Sequence, residues 1–209
     1  MTIDNIIQFL NHQHFVLLWN EMQSSPSSIY SQSIDKQRIV VVGRSCSRIV
    51  EMVMHVLTMH NRKFDYSTPS KEKISNASVL LIQPAADSTN LLEYNHHMLV
   101  ISQLSPNDKS TYLNLSNATP KGGTIIYDDS DPLVREIAKA ERPDVSVSPF
   151  DLPKYELTNG KATLVSSTNE KFHTQLISTD DLKNASAAKE LLKKIGISSG
   201  QFYKAIASF

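Results

Sequence analysis

Six residues, Gly43-Arg44-Ser45-Cys46-Ser47-Arg48, join an apolar run to an amphipathic stretch in "RIVVVGRSCSRIVEMVMHVL". A glycine turn that leads from a strand into a helix is the layout of a phosphate-binding loop. In such a loop backbone N–H groups and the helix N-terminus face the phosphates, a lysine neutralises the β/γ charge, and a Ser/Thr hydroxyl holds Mg²⁺. Only Gly43 is in place here. By spacing, Cys46 stands where a second glycine would be, Ser47 where the lysine would be, and Arg48 where the hydroxyl would be. One glycine between strand and helix is generic to α/β sheets, so the residues alone favour a structural turn. Arg44 and Arg48 keep one ligand reading open, an anion such as phosphate or sulfate at the helix N-terminus.

Other residues could do chemistry. Cys46, flanked by Arg44 and Arg48 at a helix start, sits in surroundings that lower a thiol pKa. No base can be named for it, and the alternative is a small side chain filling a former glycine position. His96 and His97 are sequence neighbours, so on a strand they point to opposite faces and cannot share a metal. His12 and His14 lie in a stretch that reads helical. The acidic run Asp128–Asp131 invites a metal, but an acidic loop ahead of Pro132 reads first as a helix cap.

The elements that position these residues follow from periodicity. Arg38–Val42, Val79–Ile82, Met98–Ser102 and Thr124–Tyr127 are short apolar runs of the kind buried on both faces of a parallel sheet. Ile49, Val50, Val53, Val56 and Leu57 form one helical stripe. Pro132–Ala140 reads as another helix, with Pro at its first position. Strands alternating with helices predict a doubly wound α/β sheet. After Val145, "VSVSPF", "KYELTNGKATLVSS" and "FHTQLIS" alternate and predict antiparallel strands, with Asn159-Gly160 as a hairpin turn. Two helices, Asp181–Ile195 and Ser199–Phe209, end the chain, and Gly196 stops the first. At the start, Asp4–Met22 is loosely helical, and "QSSPSSIYSQS" reads as a polar connector.

Composition narrows the function. The 209 residues carry 21 acidic and 21 basic side chains and 40% hydrophobic residues. That balance gives no footprint for a nucleic acid or a membrane surface. One cysteine excludes an internal disulfide and fits a reducing compartment. The apolar runs fall far short of a membrane span, and Met1–Gln13 carries an acid where a signal peptide would carry bases, so a cytoplasmic protein is expected.

The block from Ile29 to Tyr66 resembles the opening of the central domain of the Mur ligases, which add amino acids or peptides to UDP-muramic acid precursors. The similarity is greatest to the branch of UDP-N-acetylmuramate–L-alanine ligase and murein peptide ligase. Tyr30, Lys36, Arg38, Gly43, Met54, His55, Val56, Leu57, Asp65 and Tyr66 follow that pattern without a gap. "PKGGTIIYDDSDPLVREI" and "DDLKNASAAKELLKKIGISSGQFYKAIASF" resemble later blocks in the same order. The resemblance implies a P-loop-like central domain over 30–209, a mostly parallel sheet with helices on both faces and a small antiparallel addition. It is preceded by a short helical segment and connector over 1–29.

The same resemblance places every departure where chemistry would sit. The nucleotide lysine falls at Ser47 and its hydroxyl neighbour at Arg48. The Mg²⁺-holding glutamate falls at Gln83, the next two acids at Ala85 and Ala86, and the metal-binding histidine at Asp108. The His-Asn pair near the end falls at Asp180-Asp181, although Asn184 is kept. A pseudoenzyme without catalytic residues, metal or cofactor is expected, acting as a binding or regulatory module of cell-wall synthesis, with a protein partner such as the true ligases or a second copy. Two alternatives stay open: a surviving ligase or nucleotide-binding protein with ATP and Mg²⁺, and an anion or metabolite sensor. The loop Gly43–Arg48 and Asn184 are the candidate site in each case.

Overall fold

The computed structural model describes residues 24–139, 142–158 and 160–209. The helical reading of Asp4–Met22, with His12 and His14, lies outside them. The strands β1 (Gln37–Val42), β2 (Asp65–Thr68), β3 (Lys71–Lys73), β4 (Val79–Ile82), β5 (Met98–Ile101), β6 (Thr124–Asp128) and β7 (Ser146–Phe150) form one sheet in the order β3-β2-β4-β1-β5-β6-β7. Every neighbouring pair is parallel except β2–β3. β1 is central because its alternating side chains find a core on each side: Ile39 and Val41 join one cluster, Val40 and Val42 the other. Full burial of such a side chain contributes about 1.5–3 kcal/mol.

Helices cover both faces. On one lie α1 (Pro26–Ser31), α3 (Lys109–Asn117) and α4 (Pro132–Ala138). On the other lie α2 (Cys46–Met59), α5 (Thr179–Lys194) and α6 (Ser199–Ile206). The second face also carries an antiparallel sheet of β8 (Tyr155–Thr158), β9 (Lys161–Val165) and β10 (Lys171–His173). β8 and β9 are the predicted hairpin pair. Gly160 adopts φ +74°, while Asn159 lies outside the described residues. Gly196, at φ +85°, stops α5 as expected.

Two readings are corrected. "VSVSPF" is not part of the antiparallel addition; it is β7, the parallel edge of the main sheet. An edge strand is wetted on one side, so it alternates like an antiparallel one, and Pro149 is tolerated there. "QSSPSSIYSQS" is more than a connector. It holds α1, with the Ser25 hydroxyl accepting the Ser28 N–H, Pro26 in the first turn and Ile29 fully buried.

Residues that carry the resemblance meet one another in the scaffold. The Lys36 ammonium donates to the carbonyls of Ser75 (2.7 Å) and Ala77 (2.9 Å) and lies 3.2 Å from the Asp65 carboxylate, both side chains being buried. Arg38, also buried, donates to the carbonyls of Tyr94 (3.0 Å) and Asn95 (2.9 Å) and lies over the Tyr30 ring. His55 Nε2 donates to the Ala205 carbonyl (3.0 Å), and its ring meets Phe209 edge-on. These contacts fasten β1, β2 and α6 in place.

Candidate functional site

From β1 the chain runs outward to β2 on one side, returns through β4 beside β1, and crosses to β5 on the other side, so the C-terminal end of β1 is a topological switch point. Ligands of open α/β sheets bind at such a crevice. Gly43 begins it at φ +100°. A Cβ there would lie 2.4 Å from Ser102 Oγ and 2.9 Å from the Gln103 carbonyl, so the turn needs glycine for both conformation and room. Gly43→Ala is expected to cost at least about 2 kcal/mol, read by urea denaturation.

Three N–H groups of the turn are bonded within the protein. Arg44 N–H donates to the Gln103 carbonyl (2.9 Å), Ser45 N–H to Ser102 Oγ (3.3 Å), and Cys46 N–H to the Gly43 carbonyl (3.2 Å). The side chains close the loop further. Gln83 Nε2 donates to Ser47 Oγ at 2.9 Å, so a neutral contact joins the positions where the resemblance expects lysine and glutamate. Arg48 Nε donates to Asp181 at 2.8 Å and Nη1 to Glu51 at 3.3 Å, while the guanidinium lies over the Phe209 ring. A pair as exposed as Arg48–Asp181 is worth no more than about 1 kcal/mol, so it alone would not exclude a tight polyanion. The bonded N–H groups and the missing lysine weigh more.

The structure therefore does not bring Arg44 and Arg48 together as an anion clamp. Arg48 is drawn to Asp181, 133 positions away. Arg44 is exposed, and its side chain has no hydrogen bond or ion pair among the described residues. The Cys46 expectation is reversed: burial pushes its thiol pKa up, against weaker lowering by hydrogen bonds at Ser47. The acidic loop is the expected cap. Asp131 accepts from the N–H groups of Leu133 (2.9 Å) and Val134 (3.3 Å), Asp128 binds Ser130, and Asp129 pairs with Arg135. His96 donates to or accepts from the Thr119 hydroxyl (2.8 Å), and His97 Nδ1 accepts the Arg38 N–H (3.1 Å), so the two histidines have separate partners.

The two sides of the loop differ in room. Toward Asp128, Asp180 and Asn184 the remaining void is about 10 Å³, the size of one water. On the other side a cleft of about 500 Å³ lies between Arg44, Cys46, Gln83, Leu91, Asp108 and Tyr112. Burial pushes the Tyr112 phenol pKa up, with Asp108 adding to it, so the ring presents a neutral hydroxyl. Sequence reasoning missed Tyr112 and Leu91, since neither belongs to a motif.

A Mg²⁺–nucleotide does not fit these residues. The turn holds no lysine; Gln83, Ala85 and Ala86 offer no carboxylate, and three N–H groups are spent. Among the described residues no group of three or more His, Cys, Asp and Glu could hold a metal, and no helix is long and apolar enough to cross a membrane.

No protein-family model matches the sequence, and no curated protein is detectably similar to it. Solved structures are similar. A murein peptide ligase from Psychrobacter arcticus 273-4 superposes with TM-score 0.69 at 14% identity, over 89% of this chain and 50% of that one. MurF from Acinetobacter baumannii gives 0.67 at 13% identity, over 88% and 48%. Folylpolyglutamate synthetase from Lactobacillus casei gives 0.66 at 10% identity, over 94% and 70%. The chain thus spans about half the length of the first two. Its fold is that of the Mur ligase central domain.

Proposed function

We infer that this chain is a non-catalytic relative of the ATP-dependent Mur ligases, serving as a binding or regulatory module of peptidoglycan precursor synthesis or recycling in the bacterial cytoplasm. One observation carries the reading: substituted positions bond to each other. Ser47 meets Gln83, and Arg48 meets Asp181. A loop damaged at random would leave its new side chains without partners, whereas Ser47 and Arg48 each have one. Meanwhile Tyr30 with Arg38, Lys36 with Asp65 and His55 with Ala205, which carry the resemblance, hold the scaffold together by direct contacts. The module's partner is a protein, either a true ligase or a second copy.

The test is an amide-ligation assay that follows ADP release with UDP-muramyl precursors and Mg·ATP. No turnover above buffer is expected, while cross-linking captures a ligase or a dimer. Nucleotide-dependent ligation would overturn the reading.

A second reading rests on the surviving cleft. Arg44 supplies a cation beside a volume suited to a small molecule, so an amphipathic metabolite with one anionic group fits it. The surviving-ligase alternative lacks such support.

A further inference from the structure

A second concavity lies away from the Gly43 loop, at the opposite end of α2. It holds about 650 Å³, within the range of small-molecule sites. Its floor is aromatic: Phe64 and Tyr66 are two apart around the start of β2, on the same face, with ring centroids 6.0 Å apart and planes tilted by 44°. Its rim is cationic, with Arg62, Lys63 and Lys73 and no carboxylate among the lining residues. Lys73 pairs directly across from Tyr66 on the β2–β3 hairpin, and the Lys71 ammonium lies 5.6 Å from the same ring. The two acids of the β2–β3 hairpin are engaged: Asp65 faces Lys36 and accepts from the hydroxyl of Ser75, a lining residue (2.6 Å), and Glu72 accepts from the Ser24 and Ser67 hydroxyls. Arg62 keeps one contact, to the Ile195 carbonyl at the end of α5, at 3.3 Å. Lys63 and Lys73 make no side-chain hydrogen bond or ion pair among the described residues.

Cations beside a helix C-terminus complement its dipole, which accounts for Arg62 and Lys63. Lysines on an edge strand discourage strand addition, which accounts for Lys71 and Lys73. Neither purpose calls for the two sets to converge on half-buried rings. In a chain of zero net charge, a concavity that gathers three cations and excludes acids selects anions. A flat ring gains by lying against Phe64 and Tyr66 while a charged group reaches the rim.

We propose that this concavity binds a small phosphorylated ring compound, with a nucleoside monophosphate as its simplest form, the ring against Phe64 and Tyr66 and the phosphate among Arg62, Lys63 and Lys73. The inference is independent of the Gly43 loop, because no metal and no triphosphate are involved.

The experiment is a titration of the full chain with AMP, adenosine and inorganic phosphate, each without Mg²⁺, followed by ¹H–¹⁵N NMR. AMP is expected to shift the amides of Asn61–Tyr66 and Lys73–Asn76 and to bind at least tenfold more tightly than either fragment. Affinity should fall as salt rises. Lys73→Glu, at an exposed position, is expected to weaken AMP at least tenfold. Tyr66→Leu, which keeps bulk but removes the ring, is expected to bring AMP down to the affinity of phosphate alone. No shift up to 10-fold molar excess at millimolar protein would overturn the proposal. So would shifts confined to Gly43–Ser47, or affinity unchanged in both variants while their NMR spectra remain folded.

Discussion

Asp65→Asn is expected to lower the unfolding free energy by about 3–5 kcal/mol, which for a chain of this length lowers Tm by roughly 10 °C or more. Asp65 and Lys36 are both out of contact with water, and Asp65 Oδ2 accepts no hydrogen bond, depending only on the ammonium 3.2 Å away. The amide keeps the shape of the carboxylate and removes its charge. Lys36 is then left buried with two carbonyls and no counter-ion. Desolvation makes the intact pair a weak net contributor, yet breaking it is costly because one charge remains. The double variant Lys36→Met/Asp65→Leu should accordingly recover part of the loss. Urea denaturation of the three variants measures this, and a loss below about 1 kcal/mol for Asp65→Asn would contradict it.

The second large effect is pH dependence from His96. Its ring is 1% exposed, and burial, with the nearby His97 and Arg38 charges, depresses its pKa from 6.5 to about 4. The folded state therefore holds it neutral while the unfolded chain protonates it below 6.5. A depressed pKa contributes stability that is fully present above 6.5 and is lost as pH falls toward 4. The full contribution is about 3 kcal/mol, of which about 2 kcal/mol disappears between pH 7 and pH 5, above the range in which most carboxylates titrate. His97 is lowered as well, chiefly by burial, and acts in the same direction. Denaturation curves at the two pH values should show the loss in the native chain and most of it abolished in His96→Gln. An equal loss in His96→Gln would assign the effect elsewhere.

The central layers were legible because burial on both faces leaves a plain signature. Ile39–Val42, Val79–Ile82 and Met98–Ile101 are apolar without interruption, and each lies in a parallel strand. The sheet's edges carry no such mark. "DYST" and "KEK" have no apolar pattern, so β2 and β3 went unread, and wetting on one side disguised β7. α1 was hidden by its serines, although one of them is its cap. In the site, the Gly43 turn could be read from spacing, since only glycine answers a crowded positive-φ position. The pairings of Ser47 with Gln83 and Arg48 with Asp181 could not, because the partners are 36 and 133 positions apart and only folding brings them together. Cys46 misled for a related reason: neighbouring charges are visible in a sequence, while burial, which wins here, is not.

Thermal unfolding with and without 5 mM Mg·ATP, on the native chain and on Ser47→Lys, tests the closure of the loop most directly. Closure predicts no change in Tm for either protein, because one restored cation meets a turn whose Arg44, Ser45 and Cys46 N–H groups are already bonded. Binding at a hundredth of that concentration would add about 2.7 kcal/mol, a rise of roughly 5–10 °C, and such a rise in either protein would contradict it.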